Sequence, residues 1–264
     1  AQDYRVSVVS ITATTPDGQL WFSTTLKTNA TSRLIPIRPP ATIVLLHGYM
    51  LSKETMGAWG LVLAQAGYRV VLVDLRGHGQ STGDTVSFGK HEVNDLRQML
   101  DQLIANGQCD PTVGVLGLSY GATLALHWAA QDPRVRVVVA LAPYNQPDEA
   151  FERLARLLKV PITHGAAQKA VARAAQRLEL NWSDWPGEAA VRRVNVPVFF
   201  IGGARDTLSR PEDRARLKAE AGGITQSLEL EHADHFTLPL FFNKLRVPVE
   251  SWFESYLTAP NVRQ

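Results

Sequence analysis

Apolar residues in the middle of the chain come in short unbroken runs that alternate with segments of helical periodicity. Helical spacing is found at residues 54–67, 91–106 and 122–131. Strands with two apolar faces, separated by helices, predict a mostly parallel sheet with helices on both faces, an α/β fold. The predicted strands of this sheet are ATIVLLHG, YRVVLVD, TVGVLGLS, VRVVVALAP, VPVFFIGG and TQSLELEH.

Two regions depart from this alternation. At the N-terminus, two β-rich stretches flank TPDGQ, whose turn chemistry predicts a hairpin. Residues 148–194 are helical and arginine-rich, and the alternation resumes only after them, with further helices at 210–222 and 247–257. We therefore expect one domain over residues 1–264, with 148–194 inserted as a helical lid.

Composition narrows the class of protein. A chain of 264 residues can bury one large core, and no apolar run reaches the ~20 residues that span a bilayer. The net charge of +2 and pI of about 8.8 do not indicate a nucleic-acid partner. A single cysteine, Cys109, excludes an internal disulfide. The start at Ala1 slightly favours an exported protein after signal removal over a cytoplasmic one, and monomer and homodimer are both compatible with the sequence.

The stretch GLSYG lies where a buried strand runs into a helix, and it carries the candidate chemistry. Gly117 and Gly121 allow the backbone to approach closely, and Ser119 lies between them at an exposed turn. This is the nucleophile-elbow pattern, in which the helix N-terminus points N–H groups at a reacting carbonyl. A serine hydroxyl still needs a base and an orienting group before it is nucleophilic near neutral pH.

With the motifs IVLLHG, DLRGHGQST, GLSYG and HADHF, the chain resembles the α/β-hydrolase superfamily over nearly all of its length. It is similar to the compact branch of small serine esterases, monoacylglycerol-lipase-like enzymes and proline-iminopeptidase relatives. The chain order of nucleophile, acid and base in that fold implies Ser119, Asp206 and His235 as the catalytic residues.

Asp206 follows the run VPVFFIGG, so it lies at the carboxyl end of a strand, where ligand chemistry collects in open α/β sheets. Asp234 and Asp148 are the alternative acids, and Asn145 marks a second strand end that can carry the acid. For the base, the family pattern of an acidic residue before and an aromatic after favours His235 over His232. His78, in DLRGHGQST, is a weaker alternative base.

The resemblance also implies an oxyanion hole made of two backbone N–H groups, those of Tyr49 and Tyr120. His47 and Gly48 would shape the loop that carries Tyr49 and would border the substrate pocket. In the lid, Trp182 and Trp185 are candidate pocket residues, although packing of the lid onto the body is the alternative interpretation.

These residues together imply a serine hydrolase that cleaves carboxylic esters of a small acyl substrate. No spacing typical of metal ligands and no phosphate or dinucleotide loop is present, so we expect no cofactor and no metal. The same machinery also suits a peptidase or amidase, a thioesterase or a carbon–carbon hydrolase. A hydrolase-fold binding module without catalysis is the alternative from another class.

Overall fold

The computed structural model describes residues 4–15, 18–29, 41–83, 85–179 and 186–257, and the first two ranges are described as backbone. The strands of these ranges are β1 (Tyr4–Thr15), β2 (Gly18–Asn29), β3 (Thr42–Leu46), β4 (Arg69–Val73), β5 (Val113–Leu118), β6 (Val135–Leu141), β7 (Val198–Gly203) and β8 (Thr225–Leu230). The helices are α1 (Gly57–Gln65), α2 (Lys90–Ala105), α3 (Tyr120–Ala129), α4 (Pro147–Leu157), α5 (His164–Arg177), α6 (Gly187–Val191), α7 (Pro211–Glu220) and α8 (Phe242–Leu257). Short 3₁₀ helices cover Lys53–Met56 and Leu238–Leu240. Among the described helices, none combines the length and the hydrophobicity needed to cross a membrane.

The strands form one sheet in the order β1-β2-β4-β3-β5-β6-β7-β8. From β4 to β8 every neighbouring pair is parallel. The hairpin β1–β2 is antiparallel and joins the sheet through β4, beside which β2 also runs antiparallel. The mostly parallel sheet predicted from the apolar runs is confirmed.

Both faces of the sheet are buried, as the unbroken apolar runs require. In β3, Val44 and Leu46 point to one face and Ile43 and Leu45 to the other. Helices α2, α3, α6 and α7 cover the first face, and α1 and α8 cover the second. Each of these side chains contributes about 1.5–3 kcal/mol by leaving water, so the buried strands hold their register firmly.

The last helix begins earlier than expected, at Phe242 instead of residue 247. Proline normally lies in a first helical turn because it lacks an N–H, so Pro248 inside α8 is unusual. In the structure, the ring of Phe242 packs 5.0 Å from that of Trp59, and Leu245 is fully buried. The packing of Phe242 and the burial of Leu245 outweigh the backbone hydrogen bond that Pro248 omits.

The predicted lid lies between β6 and β7 and contains α4, α5 and α6. Helices α4 and α5 pack against each other, whereas α6 packs against α3 and α7. Ala190, Val191 and Val194 are fully buried in the core of the body. The lid prediction therefore concerns helices α4 and α5 and not α6. Trp182 and Trp185 lie outside the described residues.

Candidate active site

Ser119 sits at the junction of β5 and α3 in a sparsely populated backbone conformation. Its φ is 53° and its ψ is −111°, an arrangement that costs about 1–3 kcal/mol for a residue with a side chain. Its N–H donates to the carbonyl of Leu141 at the end of β6, 2.8 Å away. The neighbouring strand thus helps to hold the serine at the carboxyl edge of the sheet, partly exposed.

The two glycines around Ser119 are required by close backbone packing. A Cβ on Gly117 would lie 2.2 Å from the carbonyl oxygen of Gly121. A Cβ on Gly121 would lie 2.4 Å from the carbonyl oxygen of Leu46, on β3. Side chains at either position would push α3 away from the strands, so the small residues of GLSYG serve the tight turn.

The structure brings Ser119, His235 and Asp206 together from three separate strand ends. The Nε2 atom of His235 lies 2.9 Å from the Ser119 hydroxyl oxygen, and its Nδ1 atom lies 2.8 Å from Oδ2 of Asp206. The Asp206 side chain is fully buried, and that of His235 is 13% exposed. The three residues form a continuous hydrogen-bonded chain from the buried interior to the surface of the site.

The Asp206 carboxylate is held by the backbone of its own loop. Its Oδ1 accepts hydrogen bonds from the N–H groups of Leu208 and Ser209, at 2.9 and 2.8 Å. The Ser209 hydroxyl in turn donates to the carbonyl of Pro143, which ties the loop to the end of β6. These bonds offset the desolvation of a buried carboxylate and leave Oδ2 free to face His235.

The partners of His235 determine which ring nitrogen carries the proton. An ionised carboxylate only accepts hydrogen bonds, so Nδ1 of His235 donates to Asp206. Nε2 then presents its lone pair to the Ser119 hydroxyl. In this tautomer the imidazole is arranged to accept the serine proton, as general-base catalysis requires.

The alternative acids and bases have other partners. His232 is 62% exposed at its side chain and accepts from the Arg205 guanidinium at 3.2 Å. Asp234 accepts from the N–H groups of Phe236 and Thr237, and the Thr237 N–H lowers the pKa of this carboxyl below its ordinary value. Neither His232 nor Asp234 is hydrogen-bonded to Ser119 in the described structure.

In the part of the chain that the structure describes, the three remaining alternatives are likewise not hydrogen-bonded to the side chains of Ser119 or His235. Asn145 exchanges hydrogen bonds with Glu188, at 3.2 and 2.9 Å. Asp148 is buried in the first turn of α4, and Nδ1 of His78 bonds to the carbonyl of Arg76. Among the described residues, no group of three or more His, Cys, Asp or Glu side chains is arranged to hold a metal ion.

The loop with the predicted oxyanion donor lies directly against the serine. A Cβ on Gly48 would be 3.7 Å from that of Ser119. His47 is fully buried, and burial lowers its pKa to about 4. Its ring lies inside the protein, where Nδ1 bonds to the Gly48 carbonyl oxygen at 2.8 Å. Within the described residues, neither the Tyr49 nor the Tyr120 N–H donates to a protein acceptor, which leaves both available to a ligand.

Aromatic rings surround the outer side of this loop. The Tyr49 ring is 5.7 Å from the ring of His78, 6.0 Å from Tyr120 and 6.5 Å from Phe88. Tyr49 is 45% exposed, whereas Tyr120 is buried with its hydroxyl beside Glu92, and burial raises the Tyr120 pKa well above its usual value. The sequence interpretation missed Phe88, which lies in a loop without a motif. The DLRGHGQST motif did mark the segment that contains His78.

The strand order, the parallel strands and a serine at the β5–α3 turn define an α/β-hydrolase. Residues 37–186 match the family described as serine aminopeptidase, S33. Because this match covers more than half of the chain, the protein belongs to that family of α/β-hydrolases.

Solved structures with the same fold cover nearly the whole chain. The esterase Pf2001 of Pyrococcus furiosus aligns with 97% of this chain and 94% of its own, at a TM-score of 0.73 and 22% identity. An acetyl xylan esterase from Paenibacillus sp. R4 aligns with 96% and 89%, at a TM-score of 0.68 and 14% identity. At such identities the likeness shows the fold.

A curated relative by sequence is the uncharacterized protein YqkD of Bacillus subtilis. It is 32% identical over 94 residues, which is 36% of this chain. The match spans 31% of the relative's length, so it supports homology over that stretch alone.

Proposed function

We propose that this protein is a serine hydrolase that cleaves carboxylic esters through an acyl-enzyme. The observation that carries the proposal is the hydrogen-bonded chain from Ser119 through His235 to the buried Asp206. Three groups with matched roles at the edge where strands end are the arrangement that activates a serine. Any one of them alone would have an ordinary structural explanation.

The first half of the reaction follows from these positions. His235 accepts the Ser119 proton as the oxygen attacks the ester carbonyl, and Asp206 stabilises the imidazolium that forms. The Tyr49 and Tyr120 N–H groups donate to the developing oxyanion, each worth roughly 3–4 kcal/mol. The tetrahedral intermediate then collapses, its carbon–oxygen bond breaks, and His235 returns the proton to the leaving alcohol.

Water completes the cycle with the same groups. His235 accepts a proton from a water molecule as the water oxygen attacks the acyl-enzyme carbonyl. Collapse of the second intermediate breaks the bond to Ser119, which recovers its proton from His235, and the carboxylic acid leaves. Over the whole cycle water adds across the ester bond, and Ser119 and His235 return to their starting protonation.

Ester substrates are supported by the surroundings of the serine. The Tyr49 and Phe88 rings, 6.5 Å apart, present an apolar surface close to the Tyr49 N–H, which suits an acyl group or an apolar alcohol. Two of the proteins with the same fold are described as esterases. A thioester would follow the same steps with a thiol as the leaving group. A carbon–carbon hydrolase would instead break a C–C bond next to the carbonyl, and His235 would protonate a stabilised carbanion; both reactions are alternatives within the proposal.

Aminopeptidase activity is the second candidate, because the description of the family names this activity. An aminopeptidase must bind the substrate's terminal ammonium, and a carboxylate normally does so. In α4, Glu149 is paired with Arg153, and Glu152 with Arg156 and His164. Because these two carboxylates already have cationic partners, neither is free to bind a substrate ammonium.

The test is hydrolysis of p-nitrophenyl acetate, butyrate, octanoate and palmitate, together with aminoacyl p-nitroanilides and an acyl thioester. The key variant is Ser119→Ala, and Ser255→Ala, an exposed serine on α8, is the matched control. We expect turnover on short esters, lost by at least about 10⁴-fold in Ser119→Ala and retained in Ser255→Ala.

Other outcomes separate the alternatives. Faster release from the anilides than from the esters would assign the peptidase reaction to the same serine. Turnover that survives in Ser119→Ala would overturn the assignment of the nucleophile. If no substrate is turned over and a fluorophosphonate probe fails to label Ser119, the protein is a binding module of hydrolase fold.

A further inference from the structure

An oxyanion hole works only if its N–H groups are aimed before the substrate arrives. The Tyr120 N–H is aimed by the start of α3. The Tyr49 N–H belongs to a loop, residues 47–53, called here the oxyanion loop. Both ends of this loop are bonded to residues 74–80, called here the anchor segment.

The first end is held by the ring of His47. The Leu75 N–H donates to Nε2 of this ring at 3.0 Å, so Nε2 must be the acceptor nitrogen. The proton of the neutral imidazole is therefore on Nδ1, which donates to the Gly48 carbonyl oxygen at 2.8 Å. Burial keeps the ring neutral, with its pKa lowered to about 4.

This hydrogen bond sets the direction of the next N–H. The Gly48 carbonyl and the Tyr49 N–H belong to one planar trans peptide, in which C=O and N–H point in opposite directions. The Leu51 N–H also donates to the Gly48 oxygen, at 3.2 Å. With the oxygen fixed by these two donors, the Tyr49 N–H points away from His47.

The second end is held by a buried ion pair. The Lys53 ammonium lies 2.5 Å from Oδ2 of Asp74, and the Lys53 N–H donates to Oδ1 at 2.8 Å. The Gln80 N–H also donates to this carboxylate, at 3.0 Å. Gly79 has a φ of +55°, and a Cβ there would lie 2.3 Å from the Asp74 carboxyl, so glycine is required in the anchor segment.

We propose that His47 is a positioning residue of the reaction, which aims the Tyr49 N–H by holding the Gly48 carbonyl while itself anchored on Leu75. The Lys53–Asp74 pair keeps the far end of the oxyanion loop on the same anchor segment. This inference rests on the proposed function, since it assigns a role within the same oxyanion hole.

The test compares His47→Leu with His47→Asn. Leucine removes both ring contacts, whereas asparagine places an amide nitrogen close to the position of Nδ1 and can still donate to the Gly48 oxygen. Three quantities are measured: kcat and KM on p-nitrophenyl butyrate, the rate of fluorophosphonate labelling of Ser119, and the Ki of an alkyl trifluoromethyl ketone. Labelling also develops charge on an oxygen in the hole, so it reports on the donor whatever the natural substrate is.

We expect His47→Leu to lower kcat and the labelling rate by about 10²-fold, with KM changed by no more than about threefold. The ketone Ki should rise in proportion, because the ketone forms an oxyanion with the serine. His47→Asn should recover part of the loss, to about tenfold below the natural protein. Val71→Ala, in the buried core of β4, serves as the control for lost stability and should keep its rates within about twofold.

The proposal is overturned if folded His47→Leu keeps turnover and labelling within about twofold of the natural protein. It is also overturned if Val71→Ala loses as much at equal thermal stability, or if asparagine restores nothing. Should His47→Leu fail to fold, the Asn variant and the Val71→Ala control decide the question. Absence of both turnover and labelling in the natural protein would instead reject the proposed function itself.

Discussion

The carboxyl edge of the sheet and the α4–α5 insertion are built in different ways. At the sheet edge, Asp206 and His47 are buried and bond to backbone N–H and C=O groups. In the insertion, the Arg156–Glu152 pair joins two side chains, and the Arg156 side chain is 63% exposed. Phe151 and Leu157, on the same helix, are 44% and 45% exposed.

The two regions differ in how firmly their side chains are held, which suggests different roles in the reaction and in substrate selection. Buried groups bonded to backbone cannot rearrange without losing bonds worth about 1–3 kcal/mol each when left unmade. An exposed ion pair such as Arg156–Glu152 contributes about 0–1 kcal/mol, so the largely buried Arg153–Asp213 pair is the firmer link between α4 and the body. We infer that the sheet edge carries the reaction and that the insertion adjusts which substrates reach it.

The strongest test of this separation is Asp206→Asn, in which one atom changes. The Leu208 and Ser209 N–H groups will keep the amide oxygen at the Oδ1 position, so the NH₂ group faces Nδ1 of His235. His235 must then accept at Nδ1 and carry its proton on Nε2, where it cannot take the proton of Ser119. We expect kcat on p-nitrophenyl butyrate to fall by about 10⁴-fold with little change in thermal stability.

Asp234→Asn is the matched control, because it changes an acidic residue beside His235. The Asp234 oxygen that accepts from Phe236 and Thr237 would remain as the amide oxygen. Activity should stay within about threefold of the natural protein. Equal losses in the two variants would show that the acid has been assigned wrongly.

The features that the sequence predicts are those whose signals lie close together along the chain. Unbroken apolar runs predict the strands and their order along the chain, and the elbow glycines mark Ser119 because a tight turn permits little else. Asp206 and His235 follow from their places at strand ends and from the family pattern. All these signals are local in sequence.

The remaining features depend on contacts between distant residues. Lys53 meets Asp74 across 21 positions, and Leu75 meets His47 across 28, with no periodicity to connect them. The early start of α8 depends on the packing of Phe242 against Trp59. The insertion carries no strand pattern from which its placement over the body could be predicted.

As the pH is lowered, the groups at the sheet edge should lose stability at a higher pH than those of the insertion. Burial lowers the pKa of His47 from 6.5 to about 4. Between these pH values the ring is protonated in the unfolded chain and neutral in the folded chain. Between these values stability falls as pH falls, and the loss reaches about 3 kcal/mol once pH is below the folded value. The lowered pKa of Asp234 acts in the same direction but at lower pH, near and below its ordinary value of 3.8.

Urea unfolding at neutral pH and at intervals down to about pH 4 measures this loss. In His47→Asn, which has no titrating ring, the free energy of unfolding should depend less on pH across the window from 6.5 to about 4. An identical pH dependence in the two proteins would mean that His47 is not buried as a neutral ring.

The smallest expected effect concerns a contact between α4 and the Asp206 loop. Arg153 pairs with Glu149 and Asp213 and donates to the Leu208 carbonyl at 3.0 Å. Arg153→Met should lower the free energy of unfolding by about 1–2 kcal/mol and change KM for the octanoyl ester, while kcat on the acetyl ester stays within about twofold. Arg246→Met, which removes an exposed pair with Glu250 on α8, should change neither. If Arg153→Met instead lowers kcat on acetate about tenfold, the insertion holds Asp206 through Leu208, and chemistry and selectivity are not separate in this protein.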